Sequence, residues 1–96
     1  MTFAELQASL QVFGLGERAT LKEIKARHRE LVKRYHPDAR GSHDPELIQK
    51  INEASRVLLG YVESYHFSFA EEEFYEQNPD ARLRRQFMDD PLWGKG

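Results

Sequence analysis

Residues 20–38 read Thr-Leu-Lys-Glu-Ile-Lys-Ala-Arg-His-Arg-Glu-Leu-Val-Lys-Arg-Tyr-His-Pro-Asp. Leu21, Ile24, His28, Leu31 and Tyr35 recur at spacings of three and four, which predicts an amphipathic helix. Thr20 with Glu23 three residues later predicts a capping box at its start, each side chain taking a free backbone N–H. Pro37 stops the helix, because a residue before proline avoids the helical region. Two further stripes flank this one. Phe3, Leu6, Leu10 and Phe13 end at the stop signals Gly14 and Gly16. Leu47, Ile51, Ala54, Leu58, Tyr61 and Tyr65 follow Asp44 as N-cap and Pro45 at the first helical position. Gly60 either ends that helix or is tolerated within it.

The expected fold is all-α. Two long helices joined by the short segment from Pro37 to His43 form an antiparallel hairpin, with the short first helix lying across them. No alternating strand pattern, repeat or low-complexity stretch is present. A core over 1–60 is expected, followed by an aromatic and acidic extension over 61–96. In the extension, Ser68 with Glu71 predicts a capping box for a short helix through Glu76. Asn78, Pro79 and Asp80 predict a helix over about 79–88, ended by Pro91. Leu92 and Trp93 fall in a terminal segment that folds back or stays loose.

The chain has 96 residues, 14 basic and 16 acidic side chains, and no cysteine. That length accommodates one small domain with a tail and excludes a two-lobed enzyme. The absence of cysteine excludes disulfides, Cys-ligated zinc and thiol catalysis, and leads to the expectation of a reducing, cytoplasmic setting. No apolar run approaches the roughly 20 residues of a membrane span, and no signal-peptide pattern opens the chain, so no membrane partner is expected. The near-neutral total hides an uneven distribution: residues 1–60 carry 10 basic and 8 acidic groups (+2), and residues 61–96 carry 4 and 8 (−4). On a helical wheel Lys22, Lys25, Arg29 and Lys33 form one stripe away from the apolar line, with Arg27 and Arg34 flanking the other edge. A charged helix face is commonly no more than a solvated surface. Here it is single-signed over three turns and leads towards His36, which suits steering of an acidic protein partner.

The order of these elements resembles a J-domain, the DnaJ-like co-chaperone module, from about Phe13 to Leu58. Phe13-Gly14-Leu15 is similar to the family's Leu-Gly-Val segment. Residues 19–25 are similar to the start of its second helix, and residues 31–38 to the end of that helix with its His-Pro-Asp signature. Ile51-Asn52-Glu53-Ala54 with Val57 and Leu58 resembles its third helix. The tripeptide alone is a weak signal; its placement between these two helices makes it specific. Two departures stand out. His28 occupies a position where the family commonly has tyrosine, and a half-buried ring satisfied by a polar partner is expected there. Asn78-Pro79-Asp80-Ala81-Arg82, similar to the start of the family's fourth helix, comes late, behind an atypical insert over Leu59 to Gln77.

The resemblance implies a partner of the DnaK type, a heat shock protein 70 chaperone whose ATP hydrolysis the module raises. Carried over by position, Lys25, Arg29 and Lys33, with Lys22 and His28 beside them, supply the docking face. Asp38 pairs with a cationic group of the partner. Pro37 preorganises the loop, and His36 holds it and touches the partner. The chemistry then belongs to the partner, and the chain is expected to be neither an enzyme nor a cofactor or metal protein. His36 has no adjacent nucleophile, and His28, His36, His43 and Asp44 lack metal-ligand spacing. The alternative is a small nucleic-acid-binding module using the basic helix 20–35. Against it, Glu23 and Glu30 share that helix, its N-terminal turn lacks base-reading residues, and the acidic tail repels phosphate. In the extension, Phe67, Phe69, Phe74, Tyr75, Phe87, Leu92 and Trp93 either cover the open side of the core or meet a client or complex partner. Truncation at Gly60 distinguishes the two.

Overall fold

The computed structural model describes residues 1–35 and 44–89. The segment 36–43, with its His-Pro-Asp tripeptide, and residues 90–96, with Leu92 and Trp93, lie outside the described residues. The described chain is all-helical: α1 (Phe3–Phe13), α2 (Leu21–Tyr35), α3 (Pro45–Glu63), α4 (Glu71–Gln77) and α5 (Pro79–Asp89). It divides into two compact units, Met1–Tyr65 and His66–Gly96.

Local chemistry sets the helix ends of the first unit. Thr2 and Glu5 form a reciprocal capping box at α1 (both N···O 3.1 Å), a signal present in the sequence but not read from it. Thr20 and Glu23 form the expected box at α2. Asp44 accepts from the Leu47 N–H at 3.1 Å, and Pro45 opens α3. At the other end of α1, Gly14 takes the left-handed conformation (φ 66°), and the Gly14 and Leu15 N–H groups bond back to Gln11 and Leu10. Gly60 lies inside α3, which runs on to Glu63 and closes at Ser64. Among the described residues, no helix is long and apolar enough to cross a membrane.

The core lies on α3, against which both α1 and α2 pack; α1 packs on it more extensively than α2 does, although the sequence placed most of the core between α2 and α3. Phe13, Ile24, Ile51, Ala54 and Leu58 are buried, and Leu6, Leu10, Leu31, Tyr35 and Leu47 pack around them. Burying a side chain the size of Phe13, Ile24, Ile51 or Leu58 stabilises by about 1.5–3 kcal/mol, so these four dominate the core. Small residues on both packed helices, Ser9 on α1 and Ala54 and Ser55 on α3, are also buried. Four stripe positions depart from the apolar reading, and Leu21, in the first turn of α2, is one of them at 42% exposed. Phe3 is 71% exposed, because it precedes the first turn that reaches the core. Tyr61 and Tyr65 are exposed at the end of α3 and lean on each other, with ring centroids 5.8 Å apart.

The second unit is built differently. None of its described residues is buried. α4 and α5 are joined by ion pairs from Arg85 to Glu71 and from Arg82 to Glu76, and the Arg85 guanidinium lies 5.4 Å from the Tyr75 ring centre. The capping box expected of Ser68 and Glu71 does not form. The Ser68 hydroxyl accepts from the Ala70 N–H (3.3 Å), α4 starts after Ala70 without a side-chain cap, and the Glu71 carboxylate goes to Arg85. The Asn78 amide turns back to donate to the Phe74 carbonyl at 2.9 Å, closing α4.

Candidate functional site

The charged surface of α2 separates into two faces of different character. Lys22, Lys25, Arg29 and Lys33 are all exposed, and none makes an ion pair with a described residue. Their spacing of three and four keeps them on one side of the helix across three turns. The other edge is mixed. Arg27 Nη1 meets Glu30 Oε2 at 3.3 Å and Arg34 Nη2 meets Glu30 Oε1 at 3.4 Å. Glu23, further along that edge, is held in the cap with Thr20. The helix carries six basic and two acidic residues, a net +4. Arg27 and Arg34 cancel against Glu23 and Glu30, so the whole excess sits on the open stripe.

Two neighbouring residues of α2 fix this surface to the core by gripping one residue of α1. Arg27 Nε donates to the Phe13 carbonyl at 2.7 Å, satisfying one of the acceptors left free at the end of α1. His28 lies flat against the Phe13 ring, with centroids 6.1 Å apart and an interplanar angle of 10°. Phe13 itself is 0% exposed. Gly14 completes the joint: a Cβ there would stand 3.0 Å from Arg27 Nη2, in a backbone conformation that side chains rarely adopt. The anchoring of Arg27 was not read from the sequence, which placed it with Arg34 at the edge of a solvated face. Its partner is a backbone carbonyl 14 residues away, and no spacing rule announces such a bond.

Lys22, Lys25, Arg29 and Lys33 share the open face. His28 is half-buried as expected; its ring stacks on Phe13, and its buried Nε2 has no hydrogen-bond partner among the described residues. It therefore belongs to the joint between α1 and α2 rather than to the open stripe. His36, Pro37 and Asp38 lie outside the described residues, as does His43. Among the described residues no cluster of His, Asp or Glu is arranged to hold a metal ion.

Comparison with known proteins bears on this surface. The chain is 46% identical over 48 residues to the chaperone protein DnaJ of Ureaplasma parvum serovar 3, an overlap covering 50% of this chain and 13% of that protein. It is 37% identical over 68 residues to mitochondrial import inner membrane translocase subunit TIM14-1 of Arabidopsis thaliana, covering 71% of this chain and 58% of that protein. It is 47% identical over 58 residues to subunit TIM14 of the same translocase in Dictyostelium discoideum, covering 60% and 47%. The chain thus spans less than two thirds of the length of each of these relatives. No solved structure matches it. The translocase relatives correct the cytoplasmic location expected from the sequence, since their names place them at the mitochondrial inner membrane. The DnaJ domain model matches residues 10–62, which takes in α2 with its open basic stripe and most of α3, and on that match the chain belongs to the DnaJ domain family of J-domain co-chaperones.

Proposed function

We propose that the chain docks on a DnaK-type heat shock protein 70 chaperone through the open face of α2 and the adjoining His36-Pro37-Asp38 segment, and thereby raises the partner's ATP hydrolysis. The observation that carries this reading is the stripe of Lys22, Lys25, Arg29 and Lys33: net positive, exposed, and unpaired among the described residues, in a chain of the DnaJ domain family. Such a surface attracts an acidic partner face and sets its register, raising the association rate more than the final affinity. Asp38 supplies a charge-assisted contact to a partner cation, and Pro37 lowers the ordering cost of the segment. The chain contributes no catalytic group, and hydrolysis remains the partner's chemistry. The translocase relatives support a partner stationed beside the mitochondrial inner membrane. The exposed Phe67, Phe69 and Phe87 of the second unit support contact with a client or complex partner there.

Single-turnover ATP hydrolysis by a DnaK-type chaperone tests the reading, comparing the wild-type chain with His36→Gln and Asp38→Asn. The wild type accelerates hydrolysis and both variants lose the acceleration. No stimulation by the wild type sinks the proposal, as does equal stimulation by all three proteins.

A further inference from the structure

The mixed edge of α2 is a network of three charged side chains, Arg27, Glu30 and Arg34. One carboxylate, Glu30, holds two guanidiniums at once, at 3.3 Å and 3.4 Å. One of those guanidiniums, on Arg27, is also tied to the Phe13 carbonyl at 2.7 Å. Exposed pairs of this kind add little to stability, so their main effect is on the charge of the surface. With Glu30 in place, the edge is neutral and the positive field of α2 is confined to the stripe of Lys22, Lys25, Arg29 and Lys33. Without it, Arg27 and Arg34 would extend the positive surface a further third of the way round the helix.

We infer that Glu30 is a specificity-determining residue of the docking face: by pairing with both arginines it withholds them from an acidic partner and leaves the open stripe alone to set the register of docking. This rests on the docking role proposed above. Glu30 is exposed and makes no ion pair with the stripe, so its effect on a partner passes through charge, and that effect fades with salt. Over distances near 10 Å, interactions are screened at about 0.1 M ionic strength and persist below it.

The test is the association rate of the full chain with a DnaK-type chaperone, followed by stopped-flow fluorescence at low and high ionic strength. Glu30→Gln is expected to associate about two- to fivefold faster than wild type at low salt, with the gain lost by about 0.5 M salt. Lys25→Gln with Lys33→Gln is expected to associate more slowly. If Glu30→Gln associates at or below the wild-type rate while the stripe variant slows, the role of Glu30 is wrong and the docking role stands. If neither variant changes the rate, the docking role falls and the inference with it. Should Glu30→Gln melt below the assay temperature, Arg34→Gln carries the test. It leaves Glu30 with only Arg27 for compensation, and association is expected to slow about twofold at low salt and not at high salt. An unchanged rate for Arg34→Gln overturns the inference.

Discussion

The first unit and the second unit solve the same problem, holding helices together, by different means. In Met1–Tyr65, α1, α2 and α3 meet over Phe13, Ile24, Ile51, Ala54 and Leu58, all removed from water. In the second unit, α4 and α5 meet through Arg85 with Glu71 and Arg82 with Glu76, while Phe69 is 94% exposed. Burial of apolar surface is not weakened by charge screening; exposed ion pairs are weak and screened. The first unit is therefore a scaffold on which a charged surface can be presented in fixed geometry. The second is a hairpin whose apolar side chains gain little from folding.

The widest separation between the two is expected from truncating one large apolar residue in each. Ile51→Ala removes a side chain that is 1% exposed and should cost about 2–5 kcal/mol in urea unfolding. Leu83→Ala, on the exposed side of α5, should stay within about 0.5 kcal/mol. Equal costs would erase the distinction between the units.

Two glycines of the first unit sharpen the contrast between a joint and a helix interior. Gly14→Ala should destabilise by about 1–2 kcal/mol, because it forces a left-handed conformation on alanine and crowds Arg27. Gly60→Ala meets nothing within 4 Å inside α3 and should stabilise by about 0.5–1 kcal/mol. Thermal melts of the two variants should move in opposite directions.

Two arginines provide the finest comparison. Arg27→Met removes a donor from the buried Phe13 carbonyl and should cost about 1–2 kcal/mol at any ionic strength. Arg85→Met loses an exposed pair and a ring contact, worth about 1 kcal/mol or less. The Arg85 effect should shrink as salt rises, read from the backbone amide shifts of α4 and α5. A salt-independent Arg85 effect would show that the second unit is held by something other than its ion pairs.

The features legible in the sequence are those whose cause is local. Thr20 with Glu23, and Asp44 with Pro45, announce helix starts because the bonds they make span three residues. The core stripes were legible for the same reason, apart from Phe3 and Leu21 at helix starts and the two tyrosines at a helix end. Thr2 with Glu5 carried an equally local signal that went unread. What was not legible depends on partners far along the chain. Arg27 reaches across to Phe13, and the His28 ring stacks on the same residue. Ser68 and Glu71 have the spacing of a capping box, yet Arg85, 14 residues on, claims the carboxylate. The cellular setting was misread for a different reason: a lack of cysteine is compatible with any compartment in which disulfides are not required, so it does not single out the cytoplasm.

The central claim is that the open stripe of α2 is a docking surface and not merely a solvated face. It is tested most directly by replacing Lys25, Arg29 and Lys33 together with glutamine and measuring stimulation of a DnaK-type chaperone's ATP hydrolysis. These side chains make no ion pair with a described residue, so the variant should melt within a few degrees of wild type. Stimulation should fall by about tenfold or more at low ionic strength. A folded variant that stimulates as well as the wild type would contradict the account.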